Sequence, residues 1–306
     1  MKSTVSTRQL LTLAALLSAA LTVQAQTPPA QTSNGPAAPA IVLGEADTQR
    51  LINVVKMSEQ ERKSPENTAF IRMIKGEFGR PGSSFGVTSG FGLASGQSFV
   101  SVAGVYDADG RGRTNGNGRV DGSATAGVGL GNPIDSVGLE MTMSLTSLNP
   151  RDGTLGDSGD VGVKLHKMFP SMNNLGLAVG TSNAGRWGDA KLSKRTSYAV
   201  ASMDMPVSLV NGYPLQASLG VGNGAYRSAK SISLNTNKAN GFASLGTQIN
   251  MRTAANVSWS GNELNLGMGW MPFNAPFTLN VGITDVTNRT VEGKGYNFSL
   301  GYAFGY

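Results

Sequence analysis

A single histidine, no cysteine and 19 carboxylates form the reactive inventory of this 306-residue chain. The lack of cysteine excludes disulfides, thiolate metal sites and a cysteine nucleophile, and one histidine excludes multi-histidine metal chemistry. A Ser–His mechanism needs the imidazole within reach of a nucleophile, with a third group to orient it. Around His166 the sequence reads Lys164-Leu165-His166-Lys167-Met168, with neither a His-x-Ser nor a His-Asp arrangement. The paired carboxylates Asp107 with Asp109 and Asp157 with Asp160 are expected in loops, as solvated groups. Asp107-Ala-Asp109-Gly110-Arg111-Gly112 begins like a calcium loop, but Arg111 stands where the third oxygen ligand belongs and no closing Glu follows. Gly127-x-Gly129-x-Gly131 precedes Asn132-Pro133 rather than a helix start, so it is not a dinucleotide cradle; these glycines are expected to line a lumen or ease strand bending. The chain is therefore expected to have no catalytic residue, no cofactor and no bound metal.

The elements that would position His166 and its neighbours have a period of two. Tyr296, Phe298, Leu300, Tyr302, Phe304 and Tyr306 alternate with Asn297, Ser299, Gly301, Ala303 and Gly305. Phe277, Leu279, Val281 and Ile283 alternate with Thr278, Asn280, Gly282 and Thr284. The same pattern runs through Leu264–Trp270, Leu215–Val221 and Val137–Leu145. Alternation also describes a sandwich. Strands of about 9–12 residues, however, suit a tilted bilayer crossing, whereas sandwich strands are nearer 5–6. The small face is Gly, Ser, Thr and Asn rather than the Lys and Glu of a wetted sheet, and connections alternate between short and long.

Composition agrees. The 41 glycines are about twice the usual share of ~7%. Charged residues make 14%, too few for a self-repelling disordered chain. No apolar run beyond the N-terminus reaches the ~18 residues of a helical span, so any crossing must be made by strands. The net charge of +6 is mild and scattered, which gives no sign of nucleic-acid binding.

At the N-terminus, Lys2 and Arg8 precede an apolar stretch from Leu10 to Val23 and then Val23-Gln24-Ala25. That order is a secretory signal peptide over residues 1–25, cleaved near Ala25/Gln26. Residues 26–43, with Pro28, Pro29, Pro36 and Pro39, read as a linker. Residues 44–82 hold two short helical patterns, one over Asp47–Met57 and one behind Ser64-Pro65 with Phe70, Ile71, Ile74 and Phe78 on one face. They form a short periplasmic or plug segment, and residues 83–306 form the barrel.

Gly295–Tyr306, an alternating strand that ends in an aromatic residue, resembles the C-terminal strand of Gram-negative outer-membrane β-barrels, a porin-like class. The resemblance implies an outer-membrane location, lipid contact, and recognition of Tyr296, Phe298, Leu300, Tyr302, Phe304 and Tyr306 by the barrel-assembly machinery. It also places Tyr306 at the periplasm. Counting back gives twelve strands, near 295–306, 276–286, 262–270, 252–259, 240–249, 214–224, 196–205, 174–183, 158–167, 136–148, 119–130 and 97–106. The fold class is a closed antiparallel up-and-down barrel. Ser84–Leu93 looks like a thirteenth strand, which with a partner would make fourteen.

With large apolar residues facing lipid, Glu140, Lys164 and His166 fall on the inward register. Glu140 should lie opposite Lys164, with His166 one step nearer the periplasm, either closing the lumen or selecting ions. Arg186, Lys191, Lys194, Arg195, Arg227, Lys230 and Lys238 fall in predicted outer loops and would form a basic rim suited to lipopolysaccharide phosphates or small anions. The leading functional expectation is a passive pore for small hydrophilic solutes. A non-conducting structural or binding barrel is the alternative, and a lipid-modifying enzyme the third. The pattern leaves room for a homo-oligomer.

Overall fold

The computed structural model describes residues 49–50, 84–111, 119–148, 156–210, 213–272 and 276–305. The expected signal peptide, the linker and Tyr306 lie outside these residues, as does the 44–82 segment apart from residues 49–50, which are helical. Twelve strands follow in order: β1 (Gln97–Asp107), β2 (Val120–Gly131), β3 (Gly138–Leu145), β4 (Gly159–Phe169), β5 (Leu175–Trp187), β6 (Thr196–Val210), β7 (Tyr213–Gly222), β8 (Asn240–Asn250), β9 (Thr253–Trp259), β10 (Leu264–Trp270), β11 (Phe277–Thr284) and β12 (Gly295–Gly305). Each pairs antiparallel with its sequence neighbours, and β1 pairs with β12, so the sheet closes into an up-and-down barrel. The closing ladder runs over eleven residue pairs, from Gln97↔Gly305 to Asp107↔Gly295.

Because side chains alternate across a strand, the period of two resolves into two faces. Val102, Leu266, Met268, Val281, Phe298 and Leu300 are exposed on the outside. Tyr106 stacks on Tyr296 with ring centroids 6.4 Å apart and, with Trp259, marks one end of this apolar band. Trp270, Tyr302 and Phe304 are exposed at the other end, and Phe277 packs on Tyr302. Tyr296 and Phe304 stand eight residues apart on β12. At ~3.4 Å per residue and a tilt of about 40°, the two aromatic girdles are roughly 20 Å apart, close to the ~25 Å band of a membrane barrel. A water-facing barrel has no use for such a surface.

The rim that carries the start of β1 and the end of β12 has short turns; the opposite rim carries the longer connections, apart from the tight turn between β9 and β10. Three details depart from the sequence reading. β5 continues to Trp187 instead of ending near 183. β6 continues to Val210 instead of ending near 205, with register shifts between Met205 and Ser208 and between Ser208 and Val210. Pro206 has no N–H to offer the ladder, and the bulged pairing accommodates it. The segment that looks like a thirteenth strand lies inside the barrel. Residues 84–96 run through the lumen and make no pair in the sheet.

Leu300 sits midway between the girdles and Ser299 faces inward. Replacing Leu300 with Arg should lower folding stability in lipid vesicles by about 2–4 kcal/mol, measured by denaturant titration. Ser299→Arg should leave the midpoint nearly unchanged, and equal losses would place both side chains in the same solvent.

Candidate functional site

The lumen is furnished by small inward residues, and the room they leave is filled on one side by residues 84–96, the strap. Traced back from Gln97, Ser95 N–H donates to the Gly131 carbonyl at 2.8 Å. Leu93 N–H donates to Glu140 Oε2 at 3.0 Å, and His166 Nε2–H donates to the Leu93 carbonyl at 2.9 Å. Gly90 N–H donates to Ser202 Oγ at 2.7 Å. Thr88 N–H donates to the Tyr226 hydroxyl oxygen at 3.1 Å, and Ser258 Oγ–H donates to the Phe85 carbonyl. The strap thus climbs from the short-turn rim past β2, β3 and β4, crosses β6, and reaches β9, β10 and β11.

Glycines on the inner face make this approach possible. A Cβ on Gly176 would come within 2.7 Å of the Phe91 ring, and one on Gly267 within 2.5 Å of Phe85 Cβ. Gly282 also lies under the Phe85 ring, and Gly129 lies under Leu93 and Ala94. Of the glycines in the 127–131 run, Gly127 lies under Phe99, and Gly131 turns the chain at φ 74°.

Register places Glu140 opposite Lys164 and Gly138 opposite His166. Lys164 Nζ lies 3.7 Å from Glu140 Oε1, with the two side chains 11% and 15% exposed. The same carboxylate therefore meets an ammonium through one oxygen and the strap backbone through the other. His166 is 2% exposed, its ring between Gly92 of the strap and Gly138 of β3. A carbonyl can only accept, so Nε2 carries the proton. Nδ1 has no partner among the described residues.

Sequence reasoning missed the strap's other holders. Ser202, Ser218, Ser244, Ser258 and Asn265 lie side by side across β6 to β10 as a row of buried polar groups. Above it Ala178, Val200, Tyr226 and Phe242 form a buried apolar cluster, on which Val87 of the strap and Tyr198 pack. Tyr226 stacks on Phe242 at 3.9 Å between centroids. Burial pushes the Tyr226 phenol up to about 12, against the opposing pull of the Thr88 N–H, so it stays neutral and available to the strap. The visible signal was Tyr198, Val200 and Phe242 standing on a face otherwise made of small residues.

On the other side of the lumen, Thr278, Asn280, Ser299, Ser101, Thr125 and Ser144 remain half-buried beside the strap. Asn280 Nδ2 donates to Ser299 Oγ at 3.2 Å and Thr125 Oγ1 to Ser144 Oγ at 3.1 Å, giving a hydroxyl and amide surface.

The basic residues of the long-loop rim divide into two groups. Arg186 lies in β5 rather than in the expected outer loop, because the strand runs on to Trp187. It donates to the Ser193 carbonyl, Arg195 donates back to Ala184 of β5, and Arg227 donates to Gly224 and Thr236, so these three brace the rim. Lys191, Lys230 and Lys238 are exposed and Lys194 is half-buried. The two loops are tied together, since Asn237 Nδ2 donates to the Arg195 carbonyl at 3.2 Å and Ser197 N–H to Asn223 Oδ1 at 2.7 Å.

The carboxylates expected as solvated loop groups are corrected in two places. Asp107 ends β1, is 2% exposed and accepts from Gly110 and Arg111 N–H; Asp160 belongs to β4. Asp109 Oδ2 accepts from Lys294 N–H, so the calcium-like sequence is used to join two loops. Asp285, in the turn after β11, is fully buried. Burial would raise its carboxyl, but the N–H groups of Thr290 and Arg289 and the hydroxyls of Thr290 and Thr287 outweigh this and hold it below the usual carboxylate range.

No protein family and no curated protein matches the chain. Among solved structures it is similar to the COG4313 outer membrane channel from Pseudomonas putida F1, with 10% identity, 70% of this chain and 97% of that one covered, and a TM-score of 0.42. It is also similar to the NanC porin, with 11% identity, 68% and 99% coverage, and a TM-score of 0.35.

Removing the Glu140 carboxylate strands both Lys164 and the Leu93 N–H. Glu140→Ala should therefore lower unfolding stability by roughly 2–4 kcal/mol, while Glu140→Gln with Lys164→Met should recover most of it in the same urea titration. A carboxyl held low in the fold stabilises above the ordinary value of ~3.9 and loses that contribution as pH falls through the lower folded value. At pH 7 Asp285→Asn should therefore cut the amide-exchange protection of Thr290 about tenfold or more, and wild-type protection should fall only below pH ~4.

Proposed function

We propose that this chain is an outer-membrane barrel, exported through a cleaved leader, that passes small hydrophilic solutes passively along the part of the lumen the strap leaves open. The observation that carries this reading is the half-buried lining of Thr278, Asn280, Ser299, Ser101, Thr125 and Ser144 beside the strap. Hydroxyls and amides replace the hydrogen bonds of a hydrated solute without holding it by charge. The outward apolar band between aromatic girdles supports membrane residence, and the longer connections support that rim as the outer one. The alternating face of β12, with Tyr306 after it, supports recognition by the barrel-assembly machinery.

Catalysis finds no support in the arrangement. The one imidazole has Nε2 engaged by the strap and is closed off between two glycines, which leaves it no route to a lipid or a water nucleophile. A second reading, a closed barrel whose outer loops contact the envelope or a partner, draws on the filling of the β4 to β10 side by the strap and the aromatic cluster. In either case Lys191, Lys194, Lys230 and Lys238 present the positive charge of the outer rim to phosphates or small anions.

Purified full-length chain in a planar bilayer should give small unitary current steps with a weak preference for anions. Changing Lys191, Lys194, Lys230 and Lys238 to Gln should reduce that preference while keeping the steps. Steps absent from inserted, folded protein would remove the pore and favour the closed barrel.

A further inference from the structure

The strap sits in the lumen as a bound peptide sits in a groove. Its backbone follows the groove with bends at residues 85–87 and at Gly90, and its main-chain groups are met by side chains of the wall and of the turn after β7: Glu140, His166, Ser202, Tyr226 and Ser258. Its alternate side chains enter separate recesses. Phe85 lies over Gly267 and Gly282, Val87 on the Val200 and Phe242 cluster, Phe91 over Gly176, and Leu93 over Gly129. Main-chain bonds for affinity, with pockets for every second side chain, are how proteins recognise extended peptides. Apart from the Ser95 N–H, which donates to the Gly131 carbonyl, the main-chain partners here are side chains, because a closed barrel has no free edge to lend.

We infer that this side of the lumen is a binding groove for a glycine-spaced peptide that bends at its glycines and carries apolar side chains at 85-, 87-, 91- and 93-like positions, and that residues 84–95 are its resident, tethered occupant. The groove reads mostly what any such chain carries: N–H groups, carbonyls, and large apolar groups separated by residues without side chains. A wall strand is bonded along both edges, whereas the strap is held at a few separate points. Exchange of the strap therefore leaves the β ladders intact. Tethering gives the resident a high effective concentration, so a free peptide gains the groove when the resident is weakened or the peptide is in large excess. The inference goes beyond the pore reading, since binding occurs whether or not solute passes.

The test uses the full-length chain in detergent and a fluorescent synthetic peptide with the sequence of residues 84–95. Phe85→Ala with Phe91→Ala vacates two recesses. This double variant should bind the peptide at least tenfold more tightly than the unaltered chain, read by anisotropy. A peptide with Ala in place of both Phe residues should bind at least tenfold more weakly, as should the double variant carrying Ser202→Ala and Ser258→Ala. No saturable binding to a folded double variant, or equal binding of the Phe-less peptide, overturns the inference. Should the double variant fail to fold, the unaltered chain decides. Excess unlabelled peptide should raise amide exchange across residues 84–95, and unchanged exchange overturns the proposal. Peptide binding without unitary currents would keep the groove and remove the pore, and currents without binding would do the reverse.

Discussion

The closing ladder between β1 and β12 is the constraint on which the rest of the structure depends. Acyl chains offer nothing to an unpaired N–H or carbonyl, so a sheet in lipid must have no edge. Closure over the pairs from Gln97↔Gly305 to Asp107↔Gly295 meets that demand. It also fixes the meaning of every second residue, since once the sheet is a tube one face meets lipid and the other meets whatever the tube contains. Phe298, Leu300 and Met268 belong to the first environment, and Ser299, Asn280 and Gly267 to the second.

The inner face has its own logic. Glycine and serine leave volume, and an empty dry volume forfeits contacts. Residues 84–96 take up part of it and settle polar groups that the wall would otherwise leave facing one another. Glu140 shows the economy of the arrangement, with one oxygen toward Lys164 and the other on the strap backbone. His166 is held the same way between strap and wall. The side not covered by the strap keeps hydroxyls and amides half-buried, as at Asn280, Ser299 and Thr125.

Much of this was legible in the sequence, because a period of two is a physical requirement of a wall with different solvents on its faces. The twelve strands, the antiparallel order and the inward position of Glu140, Lys164 and His166 follow from that alternation and from counting connections. The strap resembles a thirteenth strand for the same reason that the twelve wall strands are legible. Phe85, Val87, Phe91 and Leu93 recur at odd positions, and alternate side chains entering recesses produce the same pattern as alternate side chains entering lipid. Nothing local in Ser84–Leu93 separates the two. What could have was the receiving surface, the inward glycines Gly176, Gly267 and Gly282 together with Tyr198 and Phe242 on a small-residue face. The basic rim was legible as charge but not as structure, because the carbonyls that engage Arg186, Arg195 and Arg227 are set by loop geometry.

The central claim is that successive residues of one strand meet lipid and lumen in turn. With no native cysteine, a single nitroxide label can be placed at each position from Asn297 to Tyr302 in vesicles, and its collision rates with oxygen and with a water-soluble nickel chelate compared. The account predicts a period of two, with oxygen dominating at Phe298, Leu300 and Tyr302 and the chelate gaining at Asn297, Ser299 and Gly301. A flat profile, or one in which Phe298 and Leu300 are shielded from both probes, would contradict it.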